Sequence, residues 1–137
     1  MSLASDAVAV RRGPLVVAGG VLAAIVLAAA ADTVIAQLAL AAGAPDDFQP
    51  LKAPSYIFLT TVGIVAGAIG WTILRKVSKS PQALFRWLVP TLVVVSFVPD
   101  FLLYGDGGAT GVGALLLMHV TVAAAAVVTY RKVMPLS

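Results

Sequence analysis

PLVVAGGVLAAIVLAAAADTVIAQLALAA, residues 14–42, decides the fold. A helix needs roughly 20 apolar residues to cross a bilayer, and this run exceeds that while holding a single charge, Asp32. Its residues do not alternate between apolar and polar, as the strands of a membrane barrel would. Three further runs repeat the pattern: SYIFLTTVGIVAGAIGWTIL at 55–74, then 84–104 and 110–130. The links APDDFQPLKAP, RKVSKSPQ and GDGGA concentrate proline, glycine and charge, the residues that interrupt helices. The expected fold is all-α: a four-helix transmembrane bundle over residues 14–133, after a polar N-terminal tail over residues 1–13.

Composition agrees. The 137 residues are 61% hydrophobic and only 11% charged, whereas soluble domains are nearer a quarter charged. Lipid is the solvent that tolerates so much apolar surface. With no cysteine, disulfides, thiol chemistry and cysteine-bound metals are excluded, and a single histidine, His119, excludes a His-rich metal site within one chain. No metal and no cofactor is expected. Glutamate and asparagine are both absent, so all six acids are aspartates.

The net charge of +3 forms no basic stripe of the kind that grips nucleic acid, so no nucleic-acid partner is expected. The cations bracket the apolar runs instead. Arg11 and Arg12 precede the first, Arg75, Lys76, Lys79 and Arg86 lie between the second and third, and Arg131 and Lys132 follow the fourth. Only Lys52 lies on the opposite side, with Asp46, Asp47 and Asp106. The positive-inside rule then places both termini in the cytoplasm and the protein, multi-pass, in the plasma membrane. Trp71 and Trp87 would mark the inner interface, Tyr56 and Tyr104 the outer one. The first run is longer than the apolar core of a signal peptide, so it reads as a retained helix.

Within the spans, Gly63 and Gly67 form a GxxxG and Gly70 extends it by one turn. Such a stripe lets helix backbones approach closely in lipid, so these glycines are expected to pack helices within the bundle, or between copies of the chain. Polar residues gather in one half of the spans: Asp32, Thr33 and Gln37 in the first, Thr60 and Thr61 in the second, Ser96 and Asp100 in the third, His119 in the fourth. By the helix rise, His119 lies roughly 15 Å from the start of its span, and Asp32 is similarly deep. A buried aspartate at mid-membrane needs a partner or a function. Asp32 is expected to pair with His119, with Asp100 after Pro99 forming the rim of the same site and Thr33, Gln37, Thr60 and Ser96 lining it.

QPLKAPSYIFLTTVGIVAGAIGWTILRKVSKSPQALFRWLVPTLVVVSF and ALLLMHVTVAAAAVV carry a resemblance. Through Gly70, Trp71, Leu74, Arg75, Ser96, Leu115, Leu117, Met118 and His119, residues 14–133 resemble a family of small four-helix membrane proteins common in actinobacteria, a domain of unknown function. The resemblance implies the four-helix membrane fold and marks His119 as a family feature. It implies no activity.

Three functions fit these residues. The first is an acid–base enzyme of isomerase or cyclase type, acting on a lipophilic substrate through Asp32, Asp100 and His119. The second is a non-catalytic accessory or scaffold subunit that packs against another membrane protein. The third is a proton-coupled carrier formed by oligomerisation. The expected partners are a lipid or lipophilic small molecule, a second copy, or a membrane protein.

Overall fold

The computed structural model describes residues 12–136, so almost all of the expected tail lies outside the described residues. Four helices follow one another: α1 (Pro14–Ala41), α2 (Ala53–Val77), α3 (Pro81–Leu102) and α4 (Tyr104–Val133). All four are long and apolar enough to cross a membrane, and no strand occurs among the described residues. α1, α2 and α3 each begin with proline in the first two positions, where a missing N–H costs nothing and a fixed φ favours the first turn. Leu15, Leu22, Leu38, Phe58, Val94 and Leu102 face outward, as side chains in contact with lipid tails do.

The helices form an arc in the order α2, α1, α4, α3. α1 lies along α4 over most of its length, α2 packs on α1, and α3 packs on α4. α2 and α3 scarcely touch. One stripe of α1 makes the close contacts: Ala24, Ala28, Asp32, Ala36 and Ala39, all buried. Their spacing of four, four, four and three residues keeps them on one face, and alanine lets that face approach its neighbours closely.

Each end of the bundle is closed by its own packing. At the end carrying Asp46, Asp47 and Asp106, the link between α1 and α2 folds back as a short 3₁₀ turn, Gln49–Leu51. It inserts Phe48 against Gly107 and Gly111 of α4, where a Cβ on Gly107 would lie 2.5 Å from the ring. The GDGGA segment was expected as a loop. Tyr104–Gly107 is instead a helical turn, and the chain breaks only at Gly108, at φ 64° and ψ −173°. That backbone region is essentially reserved for glycine, so α3 and α4 join through a tight corner.

At the basic end Trp71 stacks on Phe85, ring centroids 4.1 Å apart, and its Nε1 donates to the Met134 carbonyl at 3.0 Å. The Tyr130 hydroxyl donates to the Ile64 carbonyl across the bundle. Two sequence expectations change here. Trp71 is 3% exposed and belongs to the core, whereas Trp87 is 76% exposed. Of the three glycines expected to pack helices, only Gly67 meets a neighbour: a Cβ there would lie 2.8 Å from the Tyr130 hydroxyl. Gly63 and Gly70 have open space where their Cβ would be, because the face they occupy turns toward the gap between α2 and α3 and meets no helix.

Candidate functional site

The gap between α2 and α3 is a cleft of about 900 Å³, floored by α4. Its walls are mostly apolar. Leu59, Gly63, Ile64 and Gly67 come from α2, Leu88, Leu92 and Val93 from α3, Met118, Val122 and Ala126 from α4. The Trp71–Phe85 stack closes it toward the basic end, and Pro50 and Leu103 border it at the other. From Phe85 to Asp100 the wall of α3 runs fifteen residues, about 22 Å.

The polar residues of the cleft collect near the Asp100 end. On α1, Asp32 stands in the alanine stripe and is 1% exposed. Its Oδ2 accepts a 2.6 Å hydrogen bond from Thr60 of α2, and its Oδ1 has no partner. One turn along α2, the Tyr56 hydroxyl donates to Thr33 Oγ1 at 3.0 Å, and Thr33 in turn donates to the Ala29 carbonyl. Neighbouring residues of α1 thus hold residues one turn apart on α2.

A second pair faces the first. Asp100 of α3 is 6% exposed, and its Oδ2 lies 2.8 Å from His119 Nδ1 on α4. The same nitrogen lies 2.9 Å from the Leu115 carbonyl. A single N–H cannot serve both, and its alignment favours Leu115, so Asp100 Oδ2 is in contact with the imidazole yet has no aligned donor. Ser96, one turn before Asp100 on the same face, donates to the Val93 carbonyl at 2.6 Å. Pro99 lacks an N–H and leaves the Val95 carbonyl without its usual helical donor, while α3 continues to Leu102. The ring of Phe97 stands edge-on to the imidazole, centroids 6.2 Å apart.

The structure therefore re-pairs the expected residues. Asp32, Thr60, Ser96, Asp100 and His119 border one cleft. His119 pairs with Asp100, however, and Asp32 with Thr60, where an Asp32–His119 pair was expected. The reason is how each helix is rotated: α1 lies along both α2 and α4, but Asp32 is turned toward Thr60 of α2 and His119 toward Asp100 of α3. Thr33 and Gln37 are not among the residues bordering the cleft and both are exposed. With about 100° per residue, they fall well off the face on which Asp32 points inward. Thr61 likewise bonds its own helix, at the Ile57 carbonyl. Tyr56, expected at the outer interface, turns inward on the face of α2 that it shares with Thr60 four residues on.

Chemically, the site offers two buried carboxyl groups, each with an oxygen that lacks an aligned donor, one imidazole beside one of them, and the hydroxyls of Tyr56, Thr60 and Ser96. These groups can accept hydrogen bonds and exchange protons. No group of three side chains that could hold a metal ion occurs among the described residues. No curated protein and no solved structure matches the chain. A family model does, over residues 5–135, and by it the chain belongs to DUF6069, a family of unknown function.

Proposed function

We propose that this membrane protein takes a lipophilic molecule from the bilayer into the α2–α3 cleft and exchanges protons with its polar end at the Asp100–His119 and Asp32–Thr60 pairs. One observation carries this reading: polar groups from four different helices converge at one end of a long, otherwise apolar cleft whose side has no helix across it. Carboxyl and imidazole groups side by side are the parts of acid–base catalysis, so isomerisation or cyclisation of the bound molecule is the reaction type proposed. The basic end is proposed to face the cytoplasm across the plasma membrane, on the positive-inside rule.

The accessory-subunit reading has an observation of its own, since a partner's helix is another way to fill a gap between helices. The carrier reading has less support, because the Trp71–Phe85 stack and the Tyr130–Ile64 bond stand across the path toward the basic end.

The test compares lipid extracts from membranes carrying the wild type, Leu92→Trp, which fills the cleft, and His119→Gln, which removes the proton carrier. The proposal expects a lipophile retained by the wild type and by His119→Gln but not by Leu92→Trp, and chemically altered only in wild-type membranes. Retention without alteration supports binding and removes the catalytic part. Indistinguishable extracts from all three contradict the proposal.

A further inference from the structure

We infer that the molecule held in the cleft is a cationic, hydrogen-donating amphiphile of the long-chain amine class, its head between the free carboxyl oxygens of Asp32 and Asp100 and its tail running toward Trp71. The inference rests on the lipophile-binding reading above and narrows it to one class of ligand.

The head group follows from what the polar end contains and lacks. Asp32 Oδ1 and Asp100 Oδ2 are buried, lack an aligned donor, and belong to residues that border the same cleft. An unsatisfied buried acceptor is costly, and a carboxylate more so than a neutral group. Among the described residues no lysine or arginine borders the cleft, and His119 is the one basic side chain there. Its Nδ1 is aligned with the Leu115 carbonyl and only in contact with Asp100 Oδ2. An anionic head, such as a fatty carboxylate or a phosphate, would meet two aspartates with no cation to offset them. An ammonium has three N–H donors and a positive charge, the complement of two carboxyl groups that lack aligned donors.

The tail follows from the walls. Below the polar end the lining is aliphatic and aromatic over most of the roughly 22 Å of α3 that faces the cleft. Phe48, seated on Gly107 and Gly111, holds the α1–α2 link over the acidic end, so the open side between α2 and α3 is the route for a molecule dissolved in the bilayer. The tail would then end against Trp71, which borders the cleft and stacks on Phe85.

That placement supplies the experiment. The chain has two tryptophans, so Trp87→Phe leaves Trp71 as the sole fluorophore. The full-length protein is placed in phosphatidylcholine nanodiscs and titrated with three probes sharing one tail brominated at its far end: a primary amine, an alcohol and a carboxylic acid. Quenching of Trp71 reads the arrival of the tail. The expected result is that the amine quenches at a concentration roughly tenfold or more below the acid, with the alcohol between, as charge-assisted hydrogen bonds imply. Asp32→Asn and Asp100→Asn should each shrink the amine's advantage and leave quenching by the alcohol in place. That second readout separates a lost head site from a misfolded bundle. Leu92→Trp/Trp71→Phe, which fills the cleft and moves the fluorophore onto its wall, should show no saturable quenching. Equal quenching by all three probes, or tighter binding of the acid, overturns the amine inference while the lipophile site stands. No saturable quenching by any probe in the Trp87→Phe protein overturns both.

Discussion

The seam between α1 and α4 and the gap between α2 and α3 are built from similar small and aliphatic residues, yet only the seam closes. Along the seam and its flanks, Ala24, Ala28, Ala36 and Ala39 are buried, and Gly20 lies so near α4 that a Cβ would meet Val133 Cγ1 at 2.6 Å. Across the gap, Gly63 and Gly70 look into empty volume. In lipid, apolar surface gives no drive for one helix to meet another, so a small residue allows close approach without causing it. Van der Waals packing along a well-matched face, or interhelical hydrogen bonds, must draw the helices together. α1 and α2 are joined by the Asp32–Thr60 and Thr33–Tyr56 bonds, α3 and α4 by the Asp100–His119 contact and the tight corner at Gly108. Among the described residues no side-chain hydrogen bond joins α2 to α3, and none joins α1 to α4; the α1–α4 seam closes on the close packing of Gly20 and its alanines, whereas beyond the Trp71–Phe85 stack the α2–α3 gap has neither packing nor a bond.

The sharpest way to break this contrast is to enlarge a seam alanine. Ala28→Leu should cost about 1–3 kcal/mol or more, as overpacking of a filled interior does, and be read as a loss of thermal stability in detergent. Leu placed at Gly63 should leave the unfolding transition nearly where it was while reducing the free volume of the cleft. Equal losses at the two sites would mean the gap closes in the membrane.

A smaller effect tests the acidic end. Gly107→Ala sets a methyl against the Phe48 ring and should destabilise by roughly 1–2 kcal/mol. Phe48→Leu in the same chain should recover much of that loss, as expected for residues in direct contact. Independent, additive losses would remove Phe48 from the role of a plug.

Smaller again are the hydroxyls. Thr60→Val removes the donor to a buried carboxyl group, whereas Thr61→Val removes only a bond to the residue's own helix. The first should cost about 1 kcal/mol, and the second less, in line with the roughly 0.6 kcal/mol typical of hydrogen bonds within membranes. Reversed order in an unfolding titration would contradict the Asp32–Thr60 pairing. The smallest expected change is that of Gly70→Ala, within about 0.5 kcal/mol of the wild type, because nothing lies near its Cβ.

These cases also show what could be read from the sequence. Helix number and extent were legible because hydropathy and length state them directly; the spans placed at 14–42, 55–74, 84–104 and 110–130 fall on the four helices. That Asp32, Asp100 and His119 would fall in the same half of the bundle was legible from their places along the spans, and all three border one cleft. Their partners were not, since pairing depends on which helices stand side by side and how each is rotated. The four alanines packed around Asp32 do not stand out in the sequence, because α1 carries alanine on every face. The glycines misled. Gly63 and Gly70 belong to a packing stripe of which only Gly67 meets a neighbour, Tyr130, while Gly107 and Gly111, spaced like Gly63 and Gly67, receive Phe48 from a loop whose fold no periodicity describes. Gly108 carried no visible sign that its neighbours would coil into a helical turn and leave it as the corner.

The open gap between α2 and α3 is the central claim, and the absence of native cysteine allows a direct measurement of it. Two cysteine pairs are compared in lipid under the same mild oxidant: Gly20→Cys with Val133→Cys across the seam, and Gly63→Cys with Leu92→Cys across the gap. A disulfide needs Cβ atoms about 3.5–4.5 Å apart. The structure predicts that the seam pair closes readily and that the gap pair stays reduced, joined only by a long bifunctional thiol reagent. Closure of both pairs at the same rate would contradict an open cleft and, with it, the site built along its walls.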